Sequence, residues 1–190
     1  MQSVVPHEKI VAIVRQATRE VFDTMLAMPL EDLEPRQERG EPAPINGVIA
    51  LVGIGGDWTG TGRICCSAEL SCRLAGAMLG MEYTAVDEDV LDAIAEVANM
   101  IIGNVKTTLE DELGPLGLSV PTVVFGRNYH ARSGRIQSWT VVPFRCPNSD
   151  AGGPQAESPA ESNEMDIRFS LVKTAPGRRP KALKPDSISV

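Results

Sequence analysis

Apolar residues recur over the first thirty positions at intervals of three and four. Ile10, Ile13, Val14, Ala17, Val21 and Leu26 share one face at the helical period, so residues 6 to about 28 are expected to form an amphipathic helix ending before Pro29. The following EDLEPRQERGEPAP has no period, carries proline and reads as a polar connection. In INGVIALVGIGGDWTGTGRICCSA the pattern becomes two β runs about a glycine-rich turn, a hairpin. ELSCRLAGAMLG predicts a short helix stopped at Gly80, and a helix of about 26 residues follows. Asp87, Glu88 and Asp89 crowd its start, where acids suit the positive end of the helix dipole, and Gly114 with Pro115 closes it. VPTVVFG and RIQSWTVVPFR predict two further strands, and the alternation of Met165, Ile167, Phe169 and Leu171 predicts a last one.

Two segments fall outside this patterning. Residues 147–163, rich in Pro, Gly, Ser and Glu, have almost nothing to bury and read as a disordered loop. Residues 176–190 read as a flexible, basic, proline-bearing tail, and residues 1–175 as a single domain.

Composition narrows the function classes. A net charge of −7 argues against nucleic acid and anionic membrane as partners, since both select a basic face. The most apolar window, GVIALVGIGG, is about half the length needed to span a bilayer, and no signal peptide is evident, so a cytoplasmic location is expected. Cys65, Cys66, Cys72 and Cys146 form no C-x-x-C pair, and neighbours in a strand face opposite ways, so reduced thiols and no metal site are expected. GIGGDWTGTG matches neither phosphate-loop spacing and reads as a hairpin turn.

The long helix carries the chemistry. At 100° per residue, Leu91, Ile94, Ala95, Ala98, Ile101, Ile102, Val105, Leu109 and Leu113 form an apolar arc. Asp92, Glu96, Asn99, Gly103, Lys106 and Glu110 fall opposite, spaced 4, 3, 4, 3, 4. A plain solvated face is the ordinary reading of such a stripe. Yet Asn99 and Gly103 are poor helix formers at its centre, where propensity is free to act. Gly103 leaves bare backbone beside Asn99, a geometry suited to docking another surface.

The run DAIAEVAN, followed by Pro121, resembles the signature of the chemotaxis phosphatases of the CheC, CheX and FliY group: Asp or Ser four positions before E-x-x-N, then proline after roughly twenty residues. Asp92, Glu96, Asn99 and Pro121 match it in order and spacing, and AMLGMEY and PTVVFGR on either side are similar to CheX sequence over about residues 5 to 146 plus the late strand. The resemblance implies an α+β fold, an antiparallel-rich β-sheet with long helices packed on it (CheC-like). It implies a homodimer, as does the expectation of an exposed sheet edge. The implied substrate is the phosphoaspartate of a CheY-like response regulator. Asn99 would orient the attacking water and Glu96 anchor the regulator, with Asp92, Gly103 and Lys106 lining the partner-binding surface. No cofactor of the chain's own is expected; Mg²⁺ belongs to the receiver partner. Asp23 stands where a second E-x-x-N would need asparagine, so one active site per chain is expected. A non-catalytic receiver-binding adaptor and a flagellar-switch-like structural component remain alternatives, although a scaffold has no chemical need for both Glu96 and Asn99.

Overall fold

The periodic run at the start of the chain forms helix α1, His7–Val21, burying Ile10, Val11, Ile13, Val14, Ala17 and Val21. Beyond it, Phe22–Leu26 widens to a π-helical turn that ends on Ala27 in the left-handed region (φ 49°). Apolar spacing alone does not signal that change of helix type. The computed structural model describes residues 5–39, 45–129, 138–147 and 163–174; apart from its end residues the 147–163 loop lies outside them, as does the 176–190 tail.

Among the described residues, eight strands form one antiparallel sheet: β1 (Glu31–Asp32), β2 (Arg36–Arg39), β3 (Ile45–Gly56), β4 (Trp58–Cys66), β5 (Leu116–Leu118), β6 (Thr122–Tyr129), β7 (Ser138–Arg145) and β8 (Glu164–Lys173). The order is β1-β7-β8-β4-β3-β5, with β2 also on β7 and β6 also on β3. β3 and β4 make the expected hairpin, from Val48↔Cys66 to Ile54↔Gly60. Ser67 caps helix α2, Ala68–Leu79, by accepting the Leu70 N–H at 3.0 Å, and Gly80 ends it at φ 69°. The long helix α3 spans Glu88–Leu113.

The helices lie on one face of the sheet, α3 across β3 and β4 with α1 and α2 beside it. Gly62 of β4 sets how closely α3 approaches, because a Cβ there would run into the Ile102 side chain. Val48, Ala50, Val52 and Ile64, all buried, occupy the same face.

One expectation is corrected. The connection after Pro29 contains β1 and β2, which pair with β7 through Glu31↔Arg145 and Arg36↔Val141. β2 has no apolar alternation because charges hold it: Arg36 reaches Asp166 at 2.8 Å, and Glu38 receives Arg168 of β8 at 2.7 Å. Arg168 is itself buried and also pairs with Asp166, so β2 completes the neutralisation of a charge the sheet has desolvated. The thiols behave as expected. All four are free, and burial pushes Cys65 and Cys146 up to about 11 each, leaving them protonated and unreactive at neutral pH.

Candidate active site

Helix α3 starts where Asp87 accepts the Val90 N–H at 3.0 Å and ends where Gly114 takes φ 77° and donates its N–H to the Glu110 carbonyl at 3.0 Å. Its buried side is wider than the expected arc. Val90, Ala93 and Val97 are also buried, whereas Leu91, Ala95 and Leu113 are only half-buried. The burial is turned toward α2, whose Cys72 and Ala75 pack on Val90 and Ala93. That second packed flank has no signature in the helix's own period.

The stripe survives this rotation. Asp92 and Glu96 are exposed; Asn99, Gly103, Lys106 and Glu110 are half-buried. Among the described residues, the side chains of Glu96 and Asn99 take no hydrogen bond or ion pair, so the carboxylate and the amide keep their full capacity for a partner. They stand one turn apart, about 5–6 Å between Cβ atoms. Among the described residues, a methyl group at Gly103 would meet nothing within 4 Å. The glycine therefore opens onto free space and serves no packing need of the described residues.

Lys106 is not free. Its Nζ lies 2.6 Å from Glu110 Oε2, and Glu110 Oε1 accepts the Leu116 N–H at 2.8 Å. The Leu116 N–H and the Lys106 ammonium together hold the Glu110 carboxyl below its usual range. Glu110 thus ties the stripe to the start of β5. This junction was not legible in the sequence, where Glu110 is one more acid on a polar face.

Two contacts fix α3 along the sheet. Ile102 faces Gly62, which pairs with Val52, and Glu110 holds Leu116, which pairs with Gly56. From Ile102 to Glu110 the helix climbs about 12 Å, and from Val52 to Gly56 the strand climbs about 13 Å. Helix and strand therefore keep step. Pro121, next to the Thr122↔Leu51 pair, is level with the Ile102–Gly103 turn. It is held there by Ser119, whose N–H donates to the Gly53 carbonyl and whose Oγ accepts the Gly53 N–H, each at 2.9 Å. The fold thus brings Asp92, Glu96, Asn99, Gly103 and Pro121 to one side of the molecule.

The stripe is a convex face. An open cavity of about 460 Å³, lined by Arg36, Cys65, Pro143 and Asp166 among others, has these residues in paired rows on the face of the sheet turned from the helices. An amide and a carboxylate on a convex helix, with bare backbone beside them, suit a protein partner rather than an enclosed small molecule. Among the described residues, no cluster of His, Cys, Asp and Glu is placed to hold a metal ion, and no helix is long and apolar enough to cross a membrane.

Comparison with known proteins matches residues 48–145 to the family model for chemotaxis phosphatase CheX. The "CheY-P phosphatase CheX" of Thermotoga maritima is 32% identical over 108 residues, covering 53% of this chain and 68% of that protein. Among solved structures, chemotaxis protein CheX from Desulfovibrio desulfuricans superposes with a TM-score of 0.68 at 22% identity, over 86% of this chain and 99% of that one. CheX in a CheX–CheY–BeF3–Mg²⁺ complex from Borrelia burgdorferi gives a TM-score of 0.68 at 22% identity, over 85% and 97%. The match of the family model runs from Val48 in β3 to the end of β7 and takes in the whole of α3; this chain belongs to the CheX family of chemotaxis phosphatases.

Proposed function

We propose that this chain is a response-regulator phosphatase that hydrolyses the phosphoaspartate of a CheY-like receiver domain. Membership of the CheX family supports the reaction, and the names of the Thermotoga relative and the Borrelia complex support the partner. The observation that carries the residue assignment is the pair of uncommitted side chains, Glu96 and Asn99, one turn apart on an exposed stripe.

Water adds to phosphorus, the bond from phosphorus to the aspartyl oxygen breaks, and the products are a free carboxylate and inorganic phosphate. Such phosphoryl transfers require little covalent chemistry from a protein; positioning and electrostatics supply the rate. Asn99 offers both an acceptor and two donors, so it holds and aims a water without depending on a protonation state. Glu96 pairs with a basic side chain of the receiver and fixes the register of docking. Asp92 adds to the acidic character of that end of the stripe, Gly103 lets the partner's surface approach the helix backbone, and Lys106, steadied by Glu110, meets it at the far end. Mg²⁺ belongs to the receiver, not to this chain.

One such site per chain follows from α1. Its counterpart position is Asp23, which cannot donate from its side chain when ionised and sits in the π-helical turn, where residues three apart no longer stack as in an α-helix. A homodimer and a cytoplasmic location, the latter in keeping with four free thiols, complete the reading.

The test is a panel of CheY-like receivers, each phosphorylated and followed for phosphate loss, with receiver affinity titrated in parallel. Asn99→Ala is expected to leave affinity near wild type while turnover falls ~10²-fold or more, the signature of a contact made in the transition state. Asn99→Asp does not rescue, because the carboxylate loses the donor and repels the phosphoryl oxygens. Glu96→Ala chiefly weakens binding, by ~2 kcal/mol at a partly dry interface, and Glu96→Lys nearly abolishes it. Wild-type binding without any acceleration of phosphate loss would make the chain an adaptor instead.

A further inference from the structure

Phe125 is a large aromatic side chain left 47% exposed on edge strand β6. Its position relative to the stripe follows from pairing. It is opposite Val48, and Val123 is opposite Ala50; both β3 residues are buried beneath the helices, and directly paired residues share a face. Phe125 therefore lies on the helix side of the sheet. The step between α3 and β3 is fixed by Ile102 against Gly62 and by Glu110 on Leu116. Continued back from Val52 to Val48, about 13 Å of strand, it places Phe125 level with the Asp92–Glu96 turn. α3 packs along β6, and the other flank of the helix is taken by α2 against Val90 and Ala93. The half-buried residues Leu91, Ala95 and Asn99 are thus the flank nearest the edge strand. An exposed ring stands beside the two acidic residues of the site.

This placement rests on the receiver-phosphatase reading and deepens it. We propose that Phe125 is a specificity-determining residue of the docking surface, its ring bedding the aliphatic stem of the basic receiver side chain whose charged end pairs with Glu96. Charge selects this occupant. From Glu88 to Val105, α3 carries Glu88, Asp89, Asp92 and Glu96 and no lysine or arginine, so the complementary occupant of this helix face is a cation, with Arg127 as the exposed cation of β6 itself. A lysine or arginine brings an apolar stem with that cation, and an aromatic face serves both, by packing and by cation–π attraction. A second copy of this chain would present the same acidic helix to itself, which like-charge repulsion disfavours on this side of the strand.

The experiment uses the full-length protein and a CheY-like receiver phosphorylated with acetyl phosphate. Receiver affinity is titrated directly, and KM and kcat are measured alongside it. Phe125→Ser is expected to raise the dissociation constant and KM about tenfold with kcat within about twofold, while Phe125→Leu, which keeps the apolar bed, loses only a few-fold. Sedimentation and thermal unfolding of both variants accompany the kinetics. Unchanged receiver affinity in Phe125→Ser overturns the proposal, and so does a loss of affinity that appears only together with a loss of self-association. Absence of turnover in the wild type is the separate failure of the phosphatase reading; affinity still reports on Phe125 in that case.

Discussion

Gly103 weakens the helix that carries it. In a helix interior glycine costs about 0.5–1 kcal/mol relative to alanine, through the backbone freedom it surrenders on folding. Most glycines with a packing duty betray it by what a methyl group would strike, as Gly62 does against Ile102 and Gly60 against the Ser170 carbonyl. At Gly103 nothing lies within 4 Å among the described residues, so no packing contact there offsets the cost. If the offset lies in docking, Gly103→Ala separates the two effects. Thermal unfolding is expected to show a gain of about 0.5–1 kcal/mol, while receiver affinity falls several-fold because the methyl group holds the partner off the backbone. A variant that is more stable and binds equally well would leave Gly103 without a role in docking. The stripe itself was readable from one-dimensional spacing, because exposed residues on an isolated face obey the helical period. What spacing does not reveal is which polar side chains are already engaged: Lys106 and Asn99 look equally available in the sequence, yet only Asn99 is.

At the scale of elements, the strongly periodic ones were legible: α1, α2, α3, the β3–β4 hairpin, β7 and β8 all bury a regular apolar set. β2 and β5 were not. β2 is held by ion pairs to a strand more than a hundred residues away, and β5 by three pairings with β3 and one side-chain contact from Glu110. Long-range electrostatics leave no local period. The Glu110 junction nevertheless has a readable acid signature. Its carboxyl is held below the usual range by the Leu116 N–H and Lys106. A carboxyl depressed in the folded state adds stability above its unfolded value, about 4.3, and that stability is lost as pH falls through the folded one. The protection of the Leu116 amide, its exchange rate compared with the intrinsic rate at the same pH, is expected to fall between pH 6 and pH 3 as the carboxyl protonates. In Glu110→Gln the amide oxygen still accepts the Leu116 N–H but the charge is gone. Protection there should be lower than in the wild type near neutral pH, and its acid-dependent loss should vanish. An identical pH profile in the variant would mean that another group governs the junction.

At the scale of the whole molecule, the sheet of the described residues has two edges, and they are defended unequally. On one side β2 is four residues long and reads Arg36, Gln37, Glu38, Arg39, so charge and brevity blunt it against strand pairing. On the other side β6 runs for eight residues through Val123, Val124 and Phe125, and among the described residues it pairs only with β3. Such an edge invites a copy of itself across a two-fold axis. The two faces of β6 then divide the work: Phe125 lies on the helix side, near the acidic stripe, whereas Val124, 39% exposed and opposite Ile49, lies on the other side. A homodimer that packs on the Val124 face of this edge would leave Phe125 and the stripe open. Val124→Lys places a charge on the pairing strand at a position no helix covers, a device that natural edges use to stay single. Sedimentation at high micromolar concentration is expected to find the wild type dimeric and Val124→Lys monomeric. The melting temperature of the variant should no longer depend on protein concentration, since the dimer's contribution is gone, and phosphate release per chain should persist, because Glu96 and Asn99 belong to the same chain and a different face. A monomeric wild type would remove the dimer altogether. A Val124→Lys variant that still dimerises would move the interface away from β6, and the exposed apolar run on that edge would then need a different occupant.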